Sequence, residues 1–232
     1  MGERIWKIYT ACLSLCLFLQ GCLPAGSMLP GIATPIEKLP TVPGLTAEEV
    51  AVLASLTRVD DYPLYTMVTT VDYEASTSGA GSSPNAVRPD YGIAWACSLF
   101  AALGDQDTAL YGRNFDWDHS PALLLFANPP GGFASVSMVD IAYLVPEDKQ
   151  DRLAELPLAE RTELLAAPYW PFDGMNEHGL VVGMAAVPDS QVPHEPGREG
   201  IGSLGIIRAM LDHARDVNEA LAEMGRYNIS ME

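Results

Sequence analysis

The feature of this chain that most constrains its fold is a succession of short apolar segments separated by turn residues. Five such segments are found at 63–73, 97–103, 108–115, 122–127 and 135–144. Short segments rich in β-branched and aromatic residues, bounded by turn signals, predict strands. The turn between the second and third segments predicts a hairpin. The second segment shows little alternation of polar and apolar residues, which predicts a strand buried on both faces.

Helical patterns lie on both sides of this block of strands. The predicted helices are 46–56 with Thr46 as N-cap, 151–167 around Pro157, 203–214 capped by Ser203, and 217–225 capped by Asp216. One more strand is predicted at 180–187. Ser, Thr and Asp are favoured caps because their side chains accept hydrogen bonds from free N–H groups of the first turn. A block of strands followed by helices predicts an α+β fold with mainly antiparallel sheets and flanking helices.

The composition is that of a folded, acidic protein. Apolar residues make up 48% of the chain, and its formal net charge is −17. Proteins that bind nucleic acids usually carry basic patches that neutralise phosphates, so no nucleic-acid partner is expected. Zinc sites need Cys and His residues clustered at short spacings, and the sequence contains no such cluster. Neither a metal nor another cofactor is therefore expected.

Residues 1–22 are predicted to be a bacterial lipoprotein signal. A short basic start precedes an apolar run at 8–19, which is too short to span a membrane because about 20 residues are needed. Cys22 follows a small residue and is expected to become the lipidated N-terminus of an exported, membrane-anchored protein. The alternative is a cleaved secretory signal in which Cys22 has no role. Residues 23–46, rich in Pro and Gly, are predicted to be a tether.

Cys97 is the candidate nucleophile. Of the other cysteines, Cys12 and Cys16 lie within the predicted signal, and Cys22 is expected to be lipidated. Cys97 then has no disulfide partner. A lone cysteine in an exported protein is either a reactive thiol or a buried, inert residue, and its neighbours must decide between the two.

A working thiol needs a base, since its unperturbed pKa of about 8.5 leaves it mostly protonated at neutral pH. Histidine is the usual base, but nothing in the sequence places one against Cys97, and a Cys–His protease therefore has no predicted base here. The four histidines are interpreted as surface or capping residues: His119, His178, His194 and His213.

A second solution needs no histidine. If the bond between Ala96 and Cys97 were cut, the free α-amine, with a pKa of about 7.7–8.0, would be a base on the same residue as the thiol. Arg113 would supply positive charge that favours the thiolate, and Asp116 would accept a hydrogen bond from the amine and orient it. Both lie where the predicted hairpin returns beside Cys97. The alternative for these two residues is an ion pair at a hairpin end.

Three motifs carry a family resemblance. They are Cys97-Ser-Leu-Phe, Gly112-Arg-Asn-Phe-Asp-Trp and Met175-Asn-Glu-His-Gly-Leu. Together they resemble the choloylglycine hydrolase and acid ceramidase-like branch of the N-terminal-nucleophile hydrolases, which cleave linear amide C–N bonds. The resemblance extends from about Pro63 to the end of the chain. Asn176 and Gly179 are interpreted as structural residues of a turn that tolerates positive φ.

The resemblance implies an αββα sandwich, partial here, and a set of roles. Cys97 is the nucleophile through sulfur and the base through its amine, while Arg113 and Asp116 tune and hold it. Because Cys97 is internal, activity requires self-cleavage before it. Residues 47–96 are then a pro-segment with one helix and one strand, and residues 97–232 are the hydrolase domain.

Two departures from the family pattern are expected to matter. Ala186 stands where bile salt hydrolases have an asparagine that helps to bind the oxyanion, so another donor is needed. The sequence after Tyr227 lacks the further strands of the family, with their asparagine and arginine near the nucleophile, so the domain is expected to be incomplete at its C-terminus.

Two functions from different classes remain open at this point. The first is an amidase that forms a thioester on Cys97 and acts on N-acyl amides such as N-acyl amino acids, ceramide-like lipids or penicillin-type side chains. The second is a non-catalytic, surface-anchored binding or structural domain of the same fold, with Cys97 unprocessed. Nearby aromatic residues line an acyl pocket or belong to the core: Trp95, Phe100, Phe115, Trp117 and Phe126.

Overall fold

The structure is a computed structural model, and it describes residues 39–73, 96–104, 109–116, 120–185 and 194–230. These lie in one unit, Thr34–Glu232. Several sequence predictions fall outside the described residues: the signal at 1–22, most of the tether, Trp95, Trp117, His119 and Ala186. Within the described part of the chain, no helix is long and apolar enough to cross a membrane.

Ten strands form three sheets in the described residues. In chain order they are β1 Thr57–Asp60, β2 Leu64–Thr69, β3 Ala96–Ala102, β4 Leu110–Asp116, β5 Ala122–Ala127, β6 Ser135–Asp140, β7 Asp173–Asn176, β8 Val181–Gly183, β9 Glu199–Gly202 and β10 Tyr227–Ser230. The largest sheet has the order β1-β2-β5-β6-β7-β8, and only its β2–β5 pair is parallel. β3 and β4 pair as the predicted hairpin, and β9 pairs with β10 in parallel.

The described α-helices are α1 Ala47–Ala54, α2 Glu147–Gln150, α3 Ser203–His213 and α4 Val217–Met224. Thr46 caps α1 as predicted, through a capping box in which its side chain accepts from the backbone N–H of Glu49. Asp216 caps α4 as predicted. The predicted cap of α3 was wrong by one residue: Gly202 is the N-cap, and Ser203 is already the first helical residue.

The predicted helix at 151–167 was wrong. This segment folds as short 3-10 helices at Leu153–Glu155, Leu158–Glu160 and Thr162–Tyr169. Pro157 has no N–H and cannot continue a helix, but it can precede a new turn, and here it is the N-cap of the second of these helices. The apolar spacing was therefore a correct sign of burial but not of an α-helix.

Other boundaries also differ from the sequence predictions. The fifth apolar segment leaves the sheet at Asp140, whose side chain accepts a hydrogen bond from the N–H of Ala142 and caps a 3-10 turn at Ile141–Tyr143. β2 ends at Thr69 rather than at residue 73. β1, β7, β9 and β10 were not predicted, because they have four residues each and contain Gly, Asp or Asn, which are uncommon in strands.

One face of the large sheet carries the helices and the main core. Tyr65, Met67, Leu123, Leu125 and Val139 alternate along β2, β5 and β6 and are fully buried. They pack with apolar side chains of α1 and of the 3-10 segments. Further along the same face, α3 covers β7 and β8.

The hairpin β3–β4 lies on the other face of the sheet. Met138, Asp173 and Gly183 are cross-strand partners that share this face, and the hairpin side chains Arg113 and Tyr111 reach Asp173 and Gly183, respectively. The layers are thus helices, six-stranded sheet and hairpin. This arrangement confirms an α+β fold with flanking helices and corresponds to part of an αββα sandwich.

The prediction that residues 97–103 are buried on both faces was wrong. A two-stranded ribbon covers the sheet with only one face, so alternate residues point to solvent. Cys97 and Leu99 are half-buried, whereas Phe100 is 63% and Leu103 is 81% exposed. The ring of Phe100 lies over Gly112, its cross-strand partner, and compensates for the missing side chain there.

Arg208 and Asp212 form a buried ion pair within α3, and hydrogen bonds connect this pair to β6 and to Tyr73. Arg208 donates from Nε to Asp212 Oδ2 at 2.8 Å and from Nη2 to Ser135 Oγ at 2.8 Å. Tyr73 donates its hydroxyl to Asp212 Oδ1 at 3.2 Å. The side chains of Arg208 and Asp212 are 6% and 3% exposed. Burial raises the pKa of Asp212, and the positive charge of Arg208 opposes that rise.

Gly174 is expected to be required for α3 to approach the sheet closely. A Cβ at this position would lie 2.7 Å from both Leu211 Cδ1 and the backbone oxygen of Val136. Gly174→Ala should therefore lower the free energy of unfolding by about 1–3 kcal/mol through overpacking, measured by urea denaturation. Gly200→Ala is the matched control, since a Cβ there would meet nothing within 4 Å. Equal stabilities of the two variants would contradict this prediction.

Candidate active site

The register of the hairpin places the candidate residues relative to one another. Cys97 pairs with Phe115, Leu99 with Arg113, and Ala96 with Asp116. Because paired residues share a face and alternate residues change face, Cys97 and Arg113 both point toward the large sheet. This register is why Cys97, the candidate nucleophile, and Arg113 meet at one site.

Arg113 is the most connected residue of the site. It donates from Nη2 to Cys97 Sγ at 3.5 Å and from Nη1 to the backbone oxygen of Phe172 at 3.3 Å. Its Nε lies 3.4 Å from Asp173 Oδ2, and its guanidinium stacks 3.4 Å above the ring of Phe115. The side chain is only 7% exposed. A cation fixed in this way from several sides can stabilise negative charge on the sulfur.

Asp173 is a site residue that the sequence analysis missed. Its side chain is 13% exposed and pairs with Arg113. Burial raises the pKa of Asp173, and the nearby Arg113 charge opposes that rise. Asp173 stands three residues before Asn176 of the third motif, and this position was the only signal available. Nothing local in the sequence indicates that β7 docks against the hairpin.

Tyr111 is a second site residue that was missed. It lies two residues before Arg113 on the same face of β4. Its hydroxyl oxygen is buried and has no hydrogen-bond partner among the described residues. The hydroxyl lies against Gly183 of β8, where a Cβ would overlap it. Burial, followed by the negative charge of Asp173, raises the pKa of Tyr111, and the charge of Arg113 opposes this.

Asp116 is not brought to the thiol. It is exposed on the face of β4 opposite to that of Arg113, and its cross-strand partner is Ala96. Its predicted partner was the α-amine of Cys97, not the sulfur. That amine would be the backbone nitrogen of the Ala96–Cys97 bond. Because Asp116 pairs with Ala96, it lies across the hairpin from the predicted cleavage site.

The three described histidines are all exposed. His178 is exposed in the turn after β7 and packs edge-on against the ring of Phe133 at 4.4 Å. His194 is exposed before β9, and His213 is the last residue of α3. Among the described residues, no group of three His, Cys, Asp or Glu side chains could hold a metal ion.

Asn176 and Gly179 are structural, as predicted. Asn176 is buried and donates from Nδ2 to the backbone oxygens of Leu211 and Ala214 at the end of α3. Its Oδ1 accepts from the N–H groups of His178 and Leu180. Gly179 has the predicted positive φ, at +83°, but Asn176 does not. These residues fix the β7–β8 turn to α3.

The aromatic residues near Cys97 divide between the core and the surface. Phe115 packs edge-on against Phe172 at 5.8 Å, beneath Arg113, whereas Phe100 is exposed on the outer face of the hairpin. Phe126 is half-buried on the sheet face opposite the helices. Phe115 is therefore the described aromatic residue that borders the thiol.

The layers are those of an α+β protein whose sheets are flanked by helices. A model of the family described as acyl-coenzyme A:6-aminopenicillanic acid acyl-transferase matches residues 171–226. This family is part of the superfamily of choloylglycine and N-terminal-nucleophile hydrolases, so the predicted resemblance is confirmed over these residues, which include the third motif but not Cys97 or Arg113. The match begins just before β7 and ends after α4, and it includes Asp173. No curated protein matches the chain.

Proposed function

We propose that this protein is an amide hydrolase that carries the acyl group of its substrate as a thioester on Cys97, after self-cleavage of the Ala96–Cys97 bond. The family match supports the coarser assignment, an acyl-transferase or amidase of the N-terminal-nucleophile type. The observation that carries the finer one is the 3.5 Å contact between Arg113 Nη2 and Cys97 Sγ. Arg113 is anchored by Asp173 and by the backbone of Phe172, so its charge stays beside the sulfur.

Self-cleavage requires only that the thiol of Cys97 attack the peptide bond that precedes it. Cys97 Sγ attacks the carbonyl carbon of Ala96, the C–N bond breaks, and the released nitrogen takes up the thiol proton. The resulting thioester is hydrolysed by water, which leaves a carboxylate on Ala96 and both a free amine and a free thiol on Cys97. Asp116 lies across the ladder from Ala96 and accepts a hydrogen bond from the new amine.

Turnover repeats this chemistry on an external amide. The α-amine of Cys97 accepts the thiol proton while Sγ attacks the substrate carbonyl, and it then gives that proton to the leaving nitrogen. The C–N bond breaks and the amine product departs. Water, deprotonated by the same α-amine, attacks the thioester, and the C–S bond breaks to release the carboxylic acid and restore the thiol. The thiol proton leaves with the amine product and a proton from water restores the thiol, so each turnover consumes one water molecule and no cofactor.

The proposed substrates are N-acyl amides with an apolar acyl group. Leu99 and Phe115 border Cys97 on the inward face of the hairpin and offer apolar contacts for such a group. N-acyl amino acids, ceramide-like lipids and penicillin-type side chains share this chemistry. We also propose that the protein is exported and held at a membrane through lipid on Cys22, which would place the site at a cell surface or in a periplasm.

The mass of the intact protein, expressed without its signal, tests this function. Wild type is expected to give two fragments that meet at Ala96 and Cys97 and together exceed the uncut chain by one water molecule. Cys97→Ala should remain one chain. A single uncut mass for both proteins would overturn the proposed function and favour the non-catalytic domain. If the wild type is cut, turnover is then measured with an N-acyl 4-nitroanilide, with Cys97→Ala as the blank.

A further inference from the structure

Two buried polar atoms of the site have no hydrogen-bond partner among the described residues. They are the hydroxyl oxygen of Tyr111 and Nε of Arg113. The Arg113 side chain is 7% exposed, and its Nε faces Asp173 at 3.4 Å without hydrogen-bond geometry. Nearly all buried polar groups in proteins are hydrogen-bonded, and exceptions call for an explanation such as water, an ion or a ligand. Both exceptions lie on the same face of β4, in the site itself.

The packing around Tyr111 holds its hydroxyl in place. A Cβ at Gly183 would overlap the hydroxyl oxygen and would lie 3.1 Å from Leu99 Cδ2, so the ring is enclosed between β8 and β3. Gly183 is the cross-strand partner of Asp173, so the Tyr111 hydroxyl lies on the side of the site where Asp173 is found. Tyr111, Arg113 and Phe115 follow one another along β4, and Cys97 pairs with the last of them. On this inward face of the hairpin, Arg113 therefore lies between Tyr111 and Cys97.

The electrostatics of the site decide what kind of group Tyr111 can bind. Burial raises the pKa of Tyr111, so its hydroxyl stays protonated at neutral pH and is available as a donor. The negative charge of Asp173 contributes to the raised pKa of Tyr111, and the same charge disfavours a fully anionic ligand group. A neutral carbonyl oxygen that becomes negative only as the reaction proceeds suits these surroundings, with Arg113 to balance the charge.

We propose that the hydroxyl of Tyr111 donates a hydrogen bond to the carbonyl oxygen of the scissile amide and stabilises the oxyanion that forms when Cys97 attacks. This inference rests on the proposed function. A donor that strengthens its hydrogen bond in the transition state raises kcat rather than substrate affinity.

Tyr111→Phe, which removes only the hydroxyl, tests the inference in the self-cleaved protein. The variant is expected to lower kcat for an N-acyl 4-nitroanilide by about 10²-fold, the usual effect of losing one oxyanion donor, and to leave KM within about twofold. Tyr62→Phe is the matched control, because Tyr62 is exposed, outside the site. A Tyr111→Phe enzyme with the kcat of the wild type would overturn the inference and would indicate that water fills the space. A raised KM with normal kcat would overturn it as well.

A thioamide analogue of the substrate provides a readout that a structural role would not change. Sulfur is a weaker acceptor than oxygen, so the wild type should discriminate strongly between the amide and the thioamide, and Tyr111→Phe should discriminate much less. If Tyr111→Phe is not cut or not folded, Gly183→Ala is measured instead, because it keeps every polar group but displaces the hydroxyl. A kcat for Gly183→Ala equal to that of the wild type would then overturn the inference.

The failure of the proposed function is distinguishable from the failure of this inference. If the wild type itself is neither cut nor active, the thioester chemistry on Cys97 is wrong, and the Tyr111 variants are not the cause. If the wild type is cut and active while Tyr111→Phe, or Gly183→Ala in its place, has the same kcat, the function stands and only the oxyanion donor is wrong.

Discussion

Arg113→Met is expected to remove most amide turnover and to lower the free energy of unfolding by about 3–5 kcal/mol, the range for breaking a buried ion pair on one side. Turnover falls because Cys97 loses the cation that lies 3.5 Å from its sulfur. We expect a loss of about 10² or more in kcat/KM, as for other charge-stabilising donors. Stability falls because Asp173, 13% exposed, is left without its partner.

The stability of Arg113→Met should depend on pH in a defined direction. Burial raises the pKa of Asp173, and Arg113 opposes this, so the pKa rises further when the arginine is gone. A carboxyl group with a higher pKa in the folded state takes up a proton on folding, so stability increases as the pH falls through that pKa. The stability deficit of Arg113→Met relative to the wild type should therefore shrink from neutral toward mildly acidic pH, as measured by urea denaturation at several pH values.

Two further variants serve as controls for Arg113. Arg113→Lys keeps the positive charge but loses the planar guanidinium with its several donors. It should therefore be more stable than Arg113→Met but less active than the wild type. Arg198→Met removes an exposed arginine before β9 and should change neither property. If Arg113→Met behaved like Arg198→Met in both assays, the assignment of Arg113 to the site would be wrong.

Arg208→Met is expected to be the most destabilising substitution outside the site. It leaves Asp212 buried without its cation and also removes the hydrogen bond to Ser135. The expected loss is about 3–5 kcal/mol, which corresponds to a fall in Tm of roughly 6–20 °C for a domain of this size. Differential scanning calorimetry would measure it.

The chain offers a close control in the adjacent ion pair. Arg215 and Glu219 have the same i,i+4 spacing as Arg208 and Asp212, but the pair is exposed, so Arg215→Met should have little effect. The double variant Arg208→Met, Asp212→Leu should regain part of the loss, because no charge is left buried. If Arg208→Met and Arg215→Met lowered the free energy of unfolding equally, burial of the ion pair would not determine the loss of stability.

The sequence was sufficient to predict the half of the site that depends on local structure. The turn between two apolar segments defines the hairpin, and the hairpin alone brings Arg113 to Cys97. α1 and α4 were predicted because their caps, Thr46 and Asp216, bond only to neighbours in sequence. The roles of Cys97, Arg113 and Asp116 in catalysis stay predictions.

The other half of the site depends on contacts that are distant in sequence. Asp173 meets Arg113 only because β7 pairs with β6 and the hairpin docks on that edge of the sheet. Tyr111 resembles any other aromatic strand residue until Gly183 is seen against its hydroxyl. The helix predicted at 151–167 was wrong for a related reason: its apolar spacing reflects burial against the sheet, and Pro157 was the one local signal against a continuous α-helix.

The position of β2 has a consequence for the proposed cleavage. β2 lies between β1 and β5 within the large sheet, and Tyr65 and Met67 are fully buried in the core, although all precede the Ala96–Cys97 bond. Tyr73 adds hydrogen bonds to Asp212 and, through its backbone oxygen, to Tyr169. Cutting that bond would thus yield two polypeptides that share one sheet and one core. Unfolding would then separate two molecules, and its midpoint would rise with protein concentration, as for an obligate dimer.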